Sequence, residues 1–219
     1  MYFPYGRKDI EYLKRRDARL GAVIERLGPI EREVDEDLFA AVIRHIVGQQ
    51  ISMKAQQTVW TRLTDSLGEV TPQAVAKTES AVLRAAGLSG RKVEYIQKFA
   101  QSVLEGGFDL EAVRGMSDEQ AIRTLSTLSG IGVWTAEMLL LFSLQRPDIL
   151  SFADLGIQRG MRMVYRHRRI DRALFERYRR RLSPCCSVAS LYFWAVAGGA
   201  IPELTDPAAG RIGKPRRDR

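Results

Sequence analysis

An all-α fold is predicted by three features of this 219-residue sequence. Apolar residues recur three and four apart along most of the chain, the period of a helix with one buried face. Ser, Thr or Asp stands where such stretches begin, and glycine stands where several of them end. No stretch alternates well enough to be a strand in a sheet.

The elements follow from these signals in order. Between Ile10 and Leu27, Leu13, Leu20, Val23, Ile24 and Leu27 lie broadly on one helical face. Asp35 or Asp37 can cap the next helix, where Leu38, Val42 and Ile46 keep a spacing of four. Gly48-Gln49-Gln50-Ile51 interrupts it, and Ser52 can cap a helix running towards Leu67. Thr71-Pro72 is a cap with a first-turn proline. Gly87 ends a short helix, and Gly90 precedes one carrying Val93, Ile96, Phe99, Ala100 and Val103, stopped by Gly106-Gly107. Ser117-Asp118-Glu119-Gln120 has the spacing of a capping box. Leu128 to Gly132 forms a short hairpin before the apolar run Val133 to Leu144. Asp154 opens another helix, Asp171 can cap the next, and Ser183-Pro184 starts the last, which ends at Gly198-Gly199.

Composition narrows the class. Hydrophobic residues at 45% and charged residues at 27% describe an ordinary globular protein, one large domain or two small lobes in size. The net charge of +8 favours a polyanionic partner such as nucleic acid. Charge is concentrated, with ten Arg against Asp171 and Glu176 from Arg159 to Arg181, although part of such a run is always a solvated face. Arg211 to Arg219 adds five basic residues in a stretch rich in Gly, Pro and Arg, expected to be a disordered tail over 209–219. Cys185 and Cys186 are adjacent and read as free thiols, and four cysteines for an iron–sulfur cluster are lacking. His45 and His167 have no metal-ligand partners at sensible spacing. No signal peptide or membrane span is read from the sequence, so an intracellular, monomeric protein is expected, cytoplasmic, nucleoid-associated or nuclear according to the cell.

The most informative segment is Leu128-Ser129-Gly130-Ile131-Gly132-Val133-Trp134-Thr135-Ala136. Two glycines two apart permit a very tight turn between helices. They also bare the N–H groups at the start of the second helix, where the helix dipole adds positive potential. Such a site suits a phosphate and is indifferent to base sequence. A Gly-x-Gly alone is equally an ordinary helix–helix turn.

The longer string resembles the helix-hairpin-helix DNA glycosylase superfamily, in its 3-methyladenine DNA glycosylase II branch. Leu128-Ser129-Gly130-Ile131-Gly132 is similar to the family's L-P-G-[IV]-G, with Ser in place of Pro, and Trp134-Thr135-Ala136 to the branch's W-T-A. The likeness extends back to Gly48-Gln49-Gln50-Ile51-Ser52 and forward to Asp154 and Trp194. It implies a compact form without the N-terminal β domain of longer members. Residues 1–208 would make two helical lobes with a DNA-binding cleft between them. One lobe is expected mainly from 37–145, the other from the N-terminal segment plus 146–208.

The resemblance implies a monofunctional enzyme that flips an alkylated purine from double-stranded DNA and hydrolyses its glycosidic bond. Asp154, twenty-two residues after Gly132, would be the catalytic carboxylate. An N-cap is the ordinary role for such an Asp and is compatible with catalysis; Asp148 in the same loop is the rival. Trp134 stands where lyase-competent relatives carry a Schiff-base lysine. Trp134 and Trp194 match base-pocket aromatics, while Met138 and Leu155 replace tyrosines and imply a roomier pocket. Gln50 matches the residue that fills the duplex after flipping, supported by Gln49. Ser52, Gly130, Gly132, Thr135, Arg159 and Arg162 complete the expected DNA contacts. No organic cofactor or catalytic metal is implied, although carbonyls of Ser126, Leu128 and Ile131 would suit a sodium or potassium ion. Alternative readings are a non-catalytic DNA-binding module and a bifunctional glycosylase/lyase.

Overall fold

The computed structural model describes residues 1–209; the expected basic tail lies outside the described residues beyond Ala209. Thirteen helices are found among the described residues, with a lone antiparallel bridge between Tyr2 and Glu33 and no strand. The fold is all-α.

The chain folds as two compact units, one of Val34–Gln145 with Met1, the other of Tyr2–Glu33 and 146 onward. The first unit holds α3 (Leu38–Gly48), α4 (Met53–Leu67), α5 (Pro72–Lys77), α6 (Ser80–Ala85), α7 (Gly90–Leu104), α8 (Leu110–Gly115), α9 (Asp118–Leu125) and α10 (Val133–Phe142). Its core stacks Phe39 on Phe99, with centroids 5.0 Å apart, and sets Phe108 edge-on to Phe99. Val42, Ile43, Ile46, Leu63, Ile96 and Leu139 pack around them, each at most 1% exposed. Asp37, Ser52, Thr71 and Ser89 cap α3, α4, α5 and α7 through side-chain oxygens, and Ser117 with Gln120 forms a complete capping box on α9. The short α8, capped by Asp109, had no counterpart in the sequence reading.

The second unit holds α1 (Arg7–Arg16), α2 (Ala18–Leu27), α11 (Leu155–Tyr165), α12 (Arg172–Leu182) and α13 (Cys186–Ala197). The apolar face read as continuous from Ile10 to Leu27 is broken at Asp17. Asp17 is extended and buried; one oxygen accepts from Leu20 N at 3.0 Å and the other from Arg181 Nη1 at 3.0 Å. A cap of this kind starts a new helix where periodicity alone would continue the old one. Tyr165 stacks on Tyr178 at 3.9 Å and meets Phe193 edge-on, forming the aromatic centre of this unit.

One close approach decides the geometry of the second unit. A Cβ on Gly160 of α11 would collide with the backbone carbonyl of Phe193 in α13. The two helices therefore touch backbone to backbone at Gly160, and Gly156, one turn earlier, lies against the Trp194 indole.

Candidate active site

Asp154 is the N-cap of α11, only 8% exposed. Its Oδ1 accepts from Ile157 N at 2.8 Å and from Trp194 Nε1 at 2.9 Å. Both donors hold the carboxylate in place at the positive end of the α11 dipole. Gly156 makes room for the arrangement, since a Cβ there would lie 2.8 Å from Trp194 Cδ1 and 3.1 Å from Asp154 Oδ1. Gln158 Nε2 donates to Phe152 C=O at 2.5 Å and braces the preceding turn. The result is a carboxylate whose direction is fixed by two N–H donors and a glycine-lined contact. Such a group can stabilise developing positive charge without reorganising.

Asp148, the rival carboxylate, is employed structurally. Its oxygens accept from Ser183 Oγ at 2.7 Å and Cys186 N at 3.3 Å, and Arg179 stands 4.0 Å away. It ties the loop before α11 to the start of α13. Cys185 and Cys186 are free and buried, and burial pushes both thiols upward, Cys185 to about 11.

In the first unit, the hairpin brings Gly130 to φ +86, the left-handed region that favours glycine. Ile131 N donates to Leu128 C=O at 3.0 Å and closes the turn. Gly132, as the N-cap of α10, supplies no side-chain cap hydrogen bond, in contrast to the caps of α3, α4 and α11. A Cβ on Gly132 would meet nothing within 4 Å, so the space beside the hairpin glycine is open. Val133 and Trp134 are 56% and 42% exposed beside it, whereas Thr135 is buried. Ser126 Oγ, at the base of the hairpin, is buried without a hydrogen-bond partner.

The Gln49–Gln50 loop is tied to this hairpin. Gln49 Nε2 donates to Gly130 C=O at 2.5 Å, and Gln50 takes φ +59, unusual for a residue with a side chain. Gln50 is exposed, as are Ile51 and Met53 after it. Ser52, expected to touch DNA, caps α4 through its hydroxyl.

Two expected site residues are employed differently from their sequence reading. Met138 is 3% exposed and packs as core on α10, so it presents no surface to a ligand. Arg162 donates through Nε and Nη2 to the two oxygens of Asp206, at 2.9 and 2.5 Å; these donors are engaged inside the protein and not offered outward. Leu155 and Arg159 are exposed on α11, Leu155 at 81%. Residues with no signal in the sequence also shape these features: Lys92 and Tyr95 on α7, and Gly156 on α11. Among the described residues no group of three or more His, Cys, Asp or Glu could hold a metal ion. No helix among them is long and apolar enough to cross a membrane.

A helix-hairpin-helix in one unit and an Asp-capped helix in the other define a class, and comparison identifies it. Residues 43–185 match the family of HhH-GPD superfamily base excision DNA repair proteins. The chain belongs to that superfamily. It is 28% identical over 194 residues to DNA-3-methyladenine glycosylase 1 of Schizosaccharomyces pombe, covering 86% of this chain and 84% of that protein. Among solved structures, a DNA-3-methyladenine glycosidase from Bacillus halodurans superposes with a TM-score of 0.83 at 32% identity. That match covers 93% of this chain and 95% of the other. A Schizosaccharomyces pombe 3-methyladenine DNA glycosylase in complex with abasic DNA superposes with a TM-score of 0.74 at 26% identity, covering 87% and 97%.

Proposed function

We propose that this protein is a monofunctional DNA glycosylase of base excision repair. It flips an alkylated purine, 3-methyladenine first, out of duplex DNA and hydrolyses its N-glycosidic bond. The observation that carries this reading is Asp154, whose carboxylate is held by Ile157 N and Trp194 Nε1 at the head of α11.

Cleavage of an N-glycosidic bond places positive charge on the departing sugar. Asp154 stabilises that charge and orients or deprotonates the attacking water. The protein supplies no amine at position 134, where Trp134 stands, so no Schiff base forms there and the product is an intact abasic site. The exposed ring of Trp134 offers a face on which an electron-poor methylated base stacks. Trp194 serves the carboxylate through its N–H and offers its ring to the base pocket, with Leu155 beside Asp154.

Duplex DNA is the partner. The N-terminus of α10, with Gly130 and Gly132, holds a backbone phosphate irrespective of sequence. Gln50 fills the gap left by the flipped base, and exposed Arg159 adds positive charge. The hairpin carbonyls of Ser126, Leu128 and Ile131 would hold a sodium or potassium ion through oxygen donors, and the buried, unpartnered Ser126 Oγ fits that reading. Bound there, the ion would add positive charge to the hairpin.

The test is chromatography of bases released from methylated DNA. Release of 3-methyladenine with unbroken strands is the expected result. Asp154→Asn lowers the rate by about a hundredfold or more, the scale of losing one preorganised electrostatic group, while still binding a duplex with an abasic-site analogue. Near-normal turnover in Asp154→Asn, with collapse in Asp148→Asn, would reassign the catalytic carboxylate.

A further inference from the structure

The loop carrying Gln50 and the hairpin carrying Gly130 and Gly132 are both fastened to one helix, α7. Lys92 Nζ donates to the carbonyls of Val47 at 2.7 Å and Gln49 at 2.8 Å, at the C-terminal end of α3. Carbonyls there lack helical partners and carry the negative end of the dipole, so an ammonium group is well matched to them. One turn along α7, the Tyr95 ring lies against the hairpin. A Cβ on Gly130 would come within 2.8 Å of Tyr95 Cδ2. Gln49 closes the triangle by donating its side-chain amide to Gly130 C=O.

The residue immediately after these contacts is Gln50, in the left-handed region at φ +59. A non-glycine residue stays in that conformation only where its surroundings hold it. The preceding residue is pinned twice, at its carbonyl by Lys92 and at its side chain by Gly130. Lys92 is half-buried, and desolvation lowers its pKa, as expected of an ammonium drawn inward to reach the two carbonyls.

We infer that Lys92 is a positioning residue for base extrusion, clamping the end of α3 so that Gln50 is held at a fixed reach from the phosphate-binding hairpin. The inference rests on the reading of Gln50 as the residue that enters the duplex. A lysine that merely caps α3 would affect folding alone. A lysine that sets Gln50 affects the cost of opening a base pair.

Lys92→Met keeps the aliphatic stem and removes the donors. Its single-turnover excision of 7-methylguanine is compared on two duplexes, one with cytosine opposite the lesion and one with a tetrahydrofuran abasic analogue opposite. Extrusion from the second costs little. Excision from the paired duplex falls by about tenfold or more, the effect of losing a charge-assisted hydrogen bond, and changes less than about threefold on the unpaired one. Lys92→Arg restores the paired rate, because a guanidinium also serves two carbonyls. Gln49→Ala, which frees the loop from the hairpin, shows the same selective loss and serves if Lys92→Met does not fold. Equal losses on both duplexes, or none on either, overturn the inference. If Gln50→Ala slows the paired substrate and Lys92→Met does not, the clamp is wrong and the role of Gln50 stands. If Gln50→Ala changes neither rate, the role of Gln50 is wrong and the clamp falls with it. Absence of base release by the unmodified protein overturns the glycosylase reading itself.

Discussion

Gly156→Ala separates the placement of Asp154 from the stability of the fold. The new methyl would lie 2.8 Å from Trp194 Cδ1 and 3.1 Å from Asp154 Oδ1. Ordinary contact begins near 3.4 Å, so the indole must retreat by about 0.6 Å. That movement stretches the 2.9 Å bond from Trp194 Nε1 to Asp154 towards about 3.5 Å, where it is nearly lost. Overpacking costs about 1–3 kcal/mol, offset by up to about 1 kcal/mol from replacing glycine within a helix. The net loss of about 0–3 kcal/mol lowers the melting temperature by about 12 °C at most. Catalysis responds more steeply, since a misplacement approaching 1 Å costs about a hundredfold. Single-turnover base release and thermal melting on the same sample read the two effects. Gly160→Ala is the contrast: its methyl meets the Phe193 backbone, which cannot rotate away, so stability falls further. Activity within about twofold of the unmodified protein, in a folded Gly156→Ala, would falsify the claim that this contact sets the carboxylate.

The hairpin glycines should respond differently to alanine. Gly132→Ala meets no protein atom and has φ −90, so melting is unchanged and any loss of DNA affinity measures how closely the duplex approaches; Gly130→Ala, at φ +86 and against Tyr95, lowers the melting temperature as well. Arg159→Ala should reduce the slope of log affinity against log salt by about 1. Arg162→Ala should leave that slope and instead cost about 1–2 kcal/mol of stability by stranding Asp206, discounted for partial exposure. His45 is held down to about 4 in the fold by desolvation, against 6.5 when free, with the Arg44 charge adding to the effect. The unfolded chain therefore binds the proton more readily. Stability from this group is complete above about pH 6.5 and is lost as pH falls towards about 4. Thermal melting across that range should show the decline, and His45→Gln should flatten it.

Much of the helical order was legible because the signals are local. A cap such as Asp37, Ser52, Thr71 or Asp171 bonds an amide three residues ahead, and that spacing is printed in the sequence. Asp154 was legible as a helix cap for the same reason. Contacts between distant segments were not legible. The break at Asp17 depends partly on Arg181, 164 residues away. The bond from Trp194 to Asp154 spans 40 residues, and that from Lys92 to Val47 spans 45. Met138 and Arg162 show the same limit from the other side. Their positions on the helices were read well enough, but burial and the partner Asp206 decide what those side chains do.

The second unit is assembled from two separated stretches of chain, with Val34–Gln145 inserted between them. Synthesis at about 5–20 residues per second therefore delivers α1 and α2 on the order of ten seconds before their partners exist. Throughout that interval Leu13, Leu20, Val23 and Ile24, all almost fully buried at the end, have no α11 or α13 to cover them. The inserted unit, whose contacts lie within one continuous stretch, is free to form first. An inserted unit that forms first would leave the apolar faces of α1 and α2 uncovered on the segment that precedes it. At that stage a chaperone, or a neighbouring nascent chain, finds something to hold.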